Sequence, residues 1–108
     1  MPKSLTTTER GNNLPPIHPG RILLEDMKDE EVSINGLAQA IRVPANRISL
    51  IVNERRGITA DTALRLARYL GSSAEFWLGL QLEYDLRTTR QARQRAIEKA
   101  VQPRSAAA

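Results

Sequence analysis

Apolar residues recur every three or four positions through most of the chain, which is the spacing of an amphipathic helix. The clearest case is residues 34–41, where Ile34, Leu37, Ala38 and Ile41 follow the order i, i+3, i+4, i+7. Leucine and alanine are frequent, and both favour helix over strand. The pattern therefore predicts an all-α fold.

Capping residues mark where the first helices begin and end. Pro19 suits the first turn of helix one, and the acidic run "EDMKDEE" closes that helix. Ser33 is the predicted N-cap of helix two. Because the residue before a proline is biased out of the helical region, helix two must end by Ile41 or Arg42, ahead of Pro44.

Two further helices follow a turn at Gly57. Thr59 is the predicted cap of the fourth helix and Gly71 its end, while Ser72 and Glu75 form the S-x-x-E pattern of a capping box before the fifth. The fifth helix carries seven large apolar residues in eleven positions: Phe76, Trp77, Leu78, Leu80, Leu82, Tyr84 and Leu86. Phe76 and Trp77 are expected in the core. Seven such residues cannot share one stripe, so part of this helix should be buried against something beyond its own core.

The length of 108 residues leaves room for one domain. We expect a polar, mobile N-terminal arm over residues 1–16 and a compact helical domain over residues 17–86. Residues 87–108 are expected to form a basic helical extension that continues to about Val101 and ends in a frayed tail.

Composition argues against an enzyme. The chain has no cysteine and one histidine, and it lacks a glycine-rich phosphate loop. We therefore expect no catalytic residue, no metal site, no cofactor and no small-molecule substrate, and we expect His18 to pack or to cap helix one. The absence of cysteine favours a reducing, cytoplasmic setting, and no apolar run is long enough for a membrane span.

Positive charge is concentrated in the middle of the chain. Lysine and arginine number 16 against 12 aspartates and glutamates, a net charge of +4. Residues 32–68 alone carry +4, against −2 for residues 1–31 and +2 for residues 69–108. This distribution is compatible with a nucleic-acid partner, although charge of this size also commonly serves solubility.

Two short helices joined by a turn at Arg42 and Val43 match the spacing of a helix-turn-helix motif, which contacts DNA. Helix three, from Ala45 to near Asn53, is divided into two sides. At about 100° per residue, one side has the apolar Ile48, Ile51 and Val52, and the opposite arc has Asn46, Ser49, Leu50 and Asn53. A recognition helix needs such a division, because one face packs on the domain while the other contacts base edges.

The outer side chains have the chemistry for DNA. Asparagine pairs with adenine through two hydrogen bonds, which suits Asn46, and Leu50 suits a thymine methyl group. Arg47 lies on the flank, within reach of a guanine or a phosphate. The residues expected to hold phosphates are Ser33, Asn53, Arg55 and Arg56. On spacing alone, an ordinary helical domain with solvated outer faces explains the pattern equally well.

Two stretches carry a resemblance to a known family. The run "IHPGRILLEDM" and the later stretch "LAQAIRVPANRISLIVNERRGITADTALRLARYLGSSAEFWLGLQLEYDL" resemble the HigA-type antitoxins of bacterial toxin–antitoxin modules, a branch of the Cro/repressor-like helix-turn-helix proteins. The resemblance covers about residues 17–86. It implies a five-helix, repressor-like domain that forms a homodimer, binds double-stranded operator DNA to repress its own operon, and neutralises a HigB-type, mRNA-cleaving toxin.

The resemblance also assigns residues to roles. By position, the base contacts fall at Ala45, Asn46, Arg47, Ser49 and Leu50, and the backbone contacts fall at Ser33, Asn53, Arg55 and Arg56. Two positions depart from the family pattern. Arg42 stands where these turns commonly have glycine, and Pro44 replaces the usual serine or threonine cap. From the surplus of apolar residues on helix five, we expect the dimer seam at Leu78, Leu82 and Leu86.

Three hypotheses remain open from the sequence. The first is a dimeric operator-binding repressor that is also an antitoxin. The second is a toxin-binding module whose DNA binding is vestigial. The third is a free-standing helix-turn-helix regulator with no toxin partner.

Overall fold

The computed structural model describes residues 14–105, which form five helices and no strand. The helices are α1 (Pro19–Asp29), α2 (Ile34–Ile41), α3 (Ala45–Val52), α4 (Ala60–Leu70) and α5 (Ala74–Ala100). The predicted all-α, five-helix architecture is confirmed. Most of the predicted arm, residues 1–13, and the last three residues of the predicted tail lie outside the described range. Each helix within that range is too short or too polar to cross a membrane.

One apolar core joins all five helices. Its largest fully buried side chain is that of Trp77, whose indole Nε1 donates to Ser72 Oγ at 2.9 Å. Twelve buried apolar side chains make up this core: Leu23, Met27, Leu37, Ala38, Ile41, Ile48, Ile51, Val52, Ile58, Ala63, Leu66 and Trp77. The inward sides predicted for helices two and three are therefore confirmed.

The start of α1 depends on His18. Its ring Nδ1 accepts a hydrogen bond from the backbone N–H of Gly20 at 2.9 Å, so the side chain acts as the N-cap. The ring is buried and contacts the Tyr84 ring edge-on, with 4.9 Å between ring centroids. Burial lowers the pKa of His18 below its usual value, against the opposing charges of Glu54 and Asp85. The predicted packing and capping role is confirmed.

Two expectations at the start of α5 are wrong. The N-cap is Ser73, whose Oγ accepts from the backbone N–H of Phe76 at 3.0 Å, so the predicted capping box at Ser72 and Glu75 does not form. Ser72 instead accepts the indole N–H of Trp77. Phe76 was expected in the core but is 45% exposed, because the core side of this turn is occupied by Trp77.

The C-terminal half of α5 extends beyond the core. The helix ends at Ala100 with Val101 as its C-cap, which confirms the predicted continuation to about Val101. Every residue from Thr89 onward within the described range is exposed. The five large apolar residues of α5 that follow Trp77 differ in burial: Leu78, Leu80 and Tyr84 are half-buried, and Leu82 and Leu86 are exposed.

Candidate nucleic-acid interface

The turn between α2 and α3 depends on a left-handed residue. Arg42 has φ 62° and ψ 49°, the conformation that favours glycine. It closes α2, and the next residue, Val43, donates its N–H to Ala38 O at 3.0 Å. A left-handed non-glycine residue costs about 1–2 kcal/mol, so contacts elsewhere must offset that strain.

Arg65 on α4 supplies such contacts. Its Nη1 donates to Ile41 O at 2.8 Å and to Arg42 O at 3.3 Å, which are carbonyls at the end of α2. Its Nε also donates to Asp61 Oδ2 at 2.9 Å, one helical turn earlier. The sequence analysis missed Arg65, and its only signal was an aspartate four positions before an arginine on a helix.

Pro44 lies one residue outside α3. It is the N-cap in an extended conformation, φ −62° and ψ 143°, and its side chain makes no capping hydrogen bond. The helix begins at Ala45, where the apolar period predicts its start, and Pro44 is extended rather than helical. The expected loss of a side-chain acceptor at this cap is confirmed.

The two sides of α3 are separated as predicted. Ile48, Ile51 and Val52 are buried. On the other side, Asn46 is exposed and Ser49 is half-buried. These two polar residues meet the start of α2 in one open depression lined by Ser33, Ile34, Asn35, Ala45, Asn46 and Ser49.

This depression brings together residues from two helices that were predicted to make different kinds of DNA contact. Ser33 was predicted to contact the DNA backbone, and Ala45, Asn46 and Ser49 were predicted to contact bases. The hydroxyl of Ser33 accepts from Gly36 N–H at 2.9 Å as the N-cap of α2. Asn35 joins them, a residue that the sequence analysis did not select because it lies on no apolar stripe and in no motif.

Arg47 has a partner within the protein. Its Nη1 lies 2.8 Å from Asp61 Oδ2 on α4, and its side chain is only 24% exposed. Hydrogen bonds from Arg47 and then from Arg65 lower the pKa of the Asp61 carboxyl below its usual value. The Asp61 carboxylate thus pairs with two arginines. One is Arg47 on α3, and the other is Arg65, whose guanidinium also contacts the α2–α3 turn.

The remaining predicted DNA contacts lie at the far end of α3. Asn53 is exposed, and its Nδ2 donates to Ser49 O at 2.8 Å, so its amide caps the end of α3. Arg55 and Arg56 are exposed in the loop that follows, and neither makes an ion pair within residues 14–105. Leu50, the fifth predicted base contact, is half-buried.

Contacts to α5 and α1 hold this region in place. Ile58 donates its N–H to Gln81 Oε1 at 2.7 Å, which fixes the end of the α3–α4 loop on α5. Gly20 on α1 lies so near the carbonyl of Ile51 that a side-chain Cβ would overlap that backbone. The backbone of α3 is therefore packed directly against α1.

The predicted dimer seam forms a strip on the outside of α5. Leu78 is half-buried, Leu82 is 60% exposed and Leu86 is 40% exposed. Residues four apart lie on the same side of a helix, so these three side chains share one face. Nothing within the described chain covers Leu82.

Comparisons with known proteins identify the family of this chain. The helix-turn-helix family matches residues 25–77. Virulence-associated protein I of Dichelobacter nodosus is 51% identical over 84 residues, which are 77% of this chain and 78% of that protein.

Two solved structures are similar over almost their entire length. A HigA-family addiction module antidote protein from Coxiella burnetii has 46% identity and a TM-score of 0.78, with 83% of this chain and 99% of that chain covered. The antitoxin HigA of Pseudomonas aeruginosa, solved with the higBA promoter, has 45% identity and a TM-score of 0.79 over the same shares.

Proposed function

The chain belongs to the HigA-type antitoxins of the helix-turn-helix family, and from this premise we propose that it is a dimeric, operator-binding antitoxin. In this proposal α3 contacts operator DNA, the bound dimer represses its own operon, and the same protein neutralises a HigB-type toxin.

The depression between the starts of α2 and α3 carries the DNA-binding part of the proposal. It presents Ser33, Asn35, Asn46 and Ser49 on one open surface, while the reverse side of α3 is anchored in the core. Helix N-termini offer backbone N–H groups to phosphates, and asparagine suits adenine. The solved complex of a 45% identical antitoxin with its promoter supports the same role here.

Arg47 can contact DNA only after it breaks its ion pair with Asp61. In the free protein it pairs with Asp61, so it must leave that carboxylate before it contacts a base or a phosphate. Arg55 and Arg56 have no such partner in the described chain and are better placed as permanent phosphate contacts. A symmetric dimer would place two α3 helices about 34 Å apart, which calls for a palindromic operator.

The test is the change Asn46→Ala. Loss of a two-bond contact with adenine should weaken binding to the operator by about 1–3 kcal/mol, or roughly 5- to 150-fold. Binding to a scrambled duplex of equal length should not change, as measured by fluorescence anisotropy. Gln39→Ala, at another exposed amide on α2, is the matched control and should leave both affinities unchanged. An equal loss on both duplexes would contradict base contact by Asn46.

Toxin neutralisation is tested separately. The gene beside this one should encode a small toxin whose expression alone stops growth, and co-expression of this chain should restore growth. The hypothesis of a free-standing regulator predicts no such gene and no rescue. The hypothesis of a toxin-binding module predicts rescue without preference for operator DNA.

A further inference from the structure

The outer part of α5, residues 89–100, forms a helix that is not packed against any other part of residues 14–105. All its residues are exposed, and it continues α5 away from the core for about 18 Å at 1.5 Å per residue. Helices in proteins gain most of their stability from packing an apolar face. This segment, which we call the outer helix, packs no such face on the described chain.

The outer helix and the residues after it form a basic segment with few acidic residues. Residues 14–87 contain nine arginines and lysines against ten aspartates and glutamates, so the body of the protein is nearly neutral. Residues 88–105 contain five basic residues and one acidic residue: Arg90, Arg93, Arg95, Lys99 and Arg104 against Glu98. The net charge of residues 88–105 is therefore +4, as large as that of residues 32–68, so this end is a second basic region of the chain.

No carboxylate of the described residues forms an ion pair with these basic side chains. The ion pairs of residues 14–105 involve Arg47, Arg65 and Arg87, and none involves a basic residue of the outer helix. Glu98, the single carboxylate nearby, accepts a hydrogen bond from Gln94 Nε2 at 2.7 Å rather than pairing with an arginine. The four basic side chains of the outer helix are free for an external anion.

Their arrangement around the helix suits a groove. At about 100° per residue, Arg90 and Arg93 lie roughly 60° apart on one side, and Arg95 and Lys99 lie roughly 40° apart on the opposite side. A flat acidic surface could pair with only one of these sides. The major groove of DNA is about 12 Å wide, admits a helix, and has a phosphate strand along each wall.

We propose that the outer helix binds the phosphate backbone of double-stranded DNA, as a second and sequence-independent contact beside α3. A second copy of this helix is disfavoured as the occupant, because like charges would meet. A protein partner is disfavoured because protein interfaces centre on apolar or aromatic anchors, and the outer helix has only Ala92, Ala96, Ile97 and Ala100. The inference extends the proposed operator binding by α3, but its readout is separate.

The experiment measures how affinity depends on salt. The full chain and the variant Arg90→Gln/Arg93→Gln/Arg95→Gln are titrated with the operator and with a scrambled duplex between 50 and 200 mM KCl. Glutamine keeps the helix propensity, and circular dichroism checks that helix content is unchanged. Because each phosphate contact contributes a slope of about −0.9, the variant's slope of log K against log salt should be shallower by about 2 to 3 on both duplexes.

A matched variant separates contact from net charge. Arg21→Gln/Lys28→Gln/Arg68→Gln removes three exposed basic residues from α1 and α4 that make no ion pair in the described chain. It should leave the slope unchanged. A wild-type slope in the outer-helix variant, or an equal reduction in both variants, would overturn the proposal.

Failure of the proposed function would look different. If the wild-type chain bound operator and scrambled duplexes equally, base contact by α3 would fail, while the slope change would still assign phosphates to the outer helix. If the outer-helix variant kept the wild-type slope but no longer bound the purified product of the neighbouring gene, the outer helix would belong to a protein partner instead.

Discussion

At the scale of single residues, the chain uses charged side chains where glycine is the expected choice. Glu31, Arg42 and Glu54 all have positive φ, at 55°, 62° and 63°, and they follow α1, α2 and α3. Only α4 ends on a left-handed glycine, Gly71. The strain at Arg42 matters most for function, because this residue sets the angle at which α3 leaves the turn.

The strain at Arg42 predicts an unusual response to glycine. The free energy of unfolding of Arg42→Gly should be about 0.5–1 kcal/mol higher than that of Arg42→Ala. The reason is that relief of the left-handed strain exceeds the added entropy of the unfolded chain. The measurement is urea unfolding followed by circular dichroism.

The control for this comparison is Arg68, an exposed residue within α4. There the order should reverse, with Arg68→Gly less stable than Arg68→Ala by about 1 kcal/mol. If the alanine variant were the more stable one at both positions, Arg42 would not be left-handed in solution.

At the scale of elements, α3 is positioned by contacts that avoid its outer face. Gly20 lets α1 lie against the carbonyl of Ile51, and Asp61 joins Arg47 to Arg65, which holds the end of α2. α3 is only eight residues long, too short to be stable by itself in water. Its neighbours therefore supply its stability, and its outward polar residues remain available.

The close approach of α1 and α3 predicts that Gly20→Ala is destabilising. The new methyl group would overlap backbone rather than a movable side chain, so the two helices must separate, at a cost of about 1–3 kcal/mol or more. Thermal unfolding measures the loss.

Gly79→Ala provides the matched change on α5. No atom lies near the position of its added Cβ, so this variant should gain up to about 1 kcal/mol from helix propensity. A Gly20→Ala variant as stable as the wild type would contradict the close approach.

At the scale of the whole molecule, α5 has three separate parts. Its first turns bury Trp77 in the core, its middle presents Leu82 and Leu86 outward, and its outer part is basic and exposed. Exposed leucines along one helix face indicate an interaction site, and a dimer is the partner that the proposed operator binding requires.

The proposed seam predicts that Leu82→Glu shifts the protein from dimer to monomer. Burial of a carboxylate against the same residue of a second copy is unfavourable, whereas in the monomer Leu82 is already 60% exposed, so the fold should persist. Sedimentation velocity measures the change. Leu64→Glu, on α4 and 63% exposed, is the matched control and should sediment like the wild type. An unaltered profile for Leu82→Glu would remove this seam from consideration.

Local features of the fold were predictable because they depend on neighbours in sequence. The apolar spacing gave α2 and α3, and Ser33, Thr59 and Gly71 cap helices where expected. The prediction of a capping box was wrong because of a tertiary contact. Ser72 accepts a hydrogen bond from the buried indole of Trp77, and Ser73 is the cap instead. The prediction that Phe76 lies in the core was wrong for a similar reason, since periodicity alone could not decide which of two adjacent aromatic rings enters the core.

The sequence by itself determined the helical class, the buried side of α3, the polar character of its outer side and the family resemblance, because each is written in residue type and spacing. Only the tertiary structure decided which polar groups are already occupied. Arg47 pairs with Asp61, Arg65 holds the α2–α3 turn, and the amide of Asn53 caps its own helix, whereas Asn46 stays open beside Ser33 and Asn35. The physical reason is that a hydrogen bond depends on distance and direction between atoms, and partners 14 or 24 residues apart, such as Arg47 with Asp61 and Arg65 with Ile41, meet only after the helices have packed.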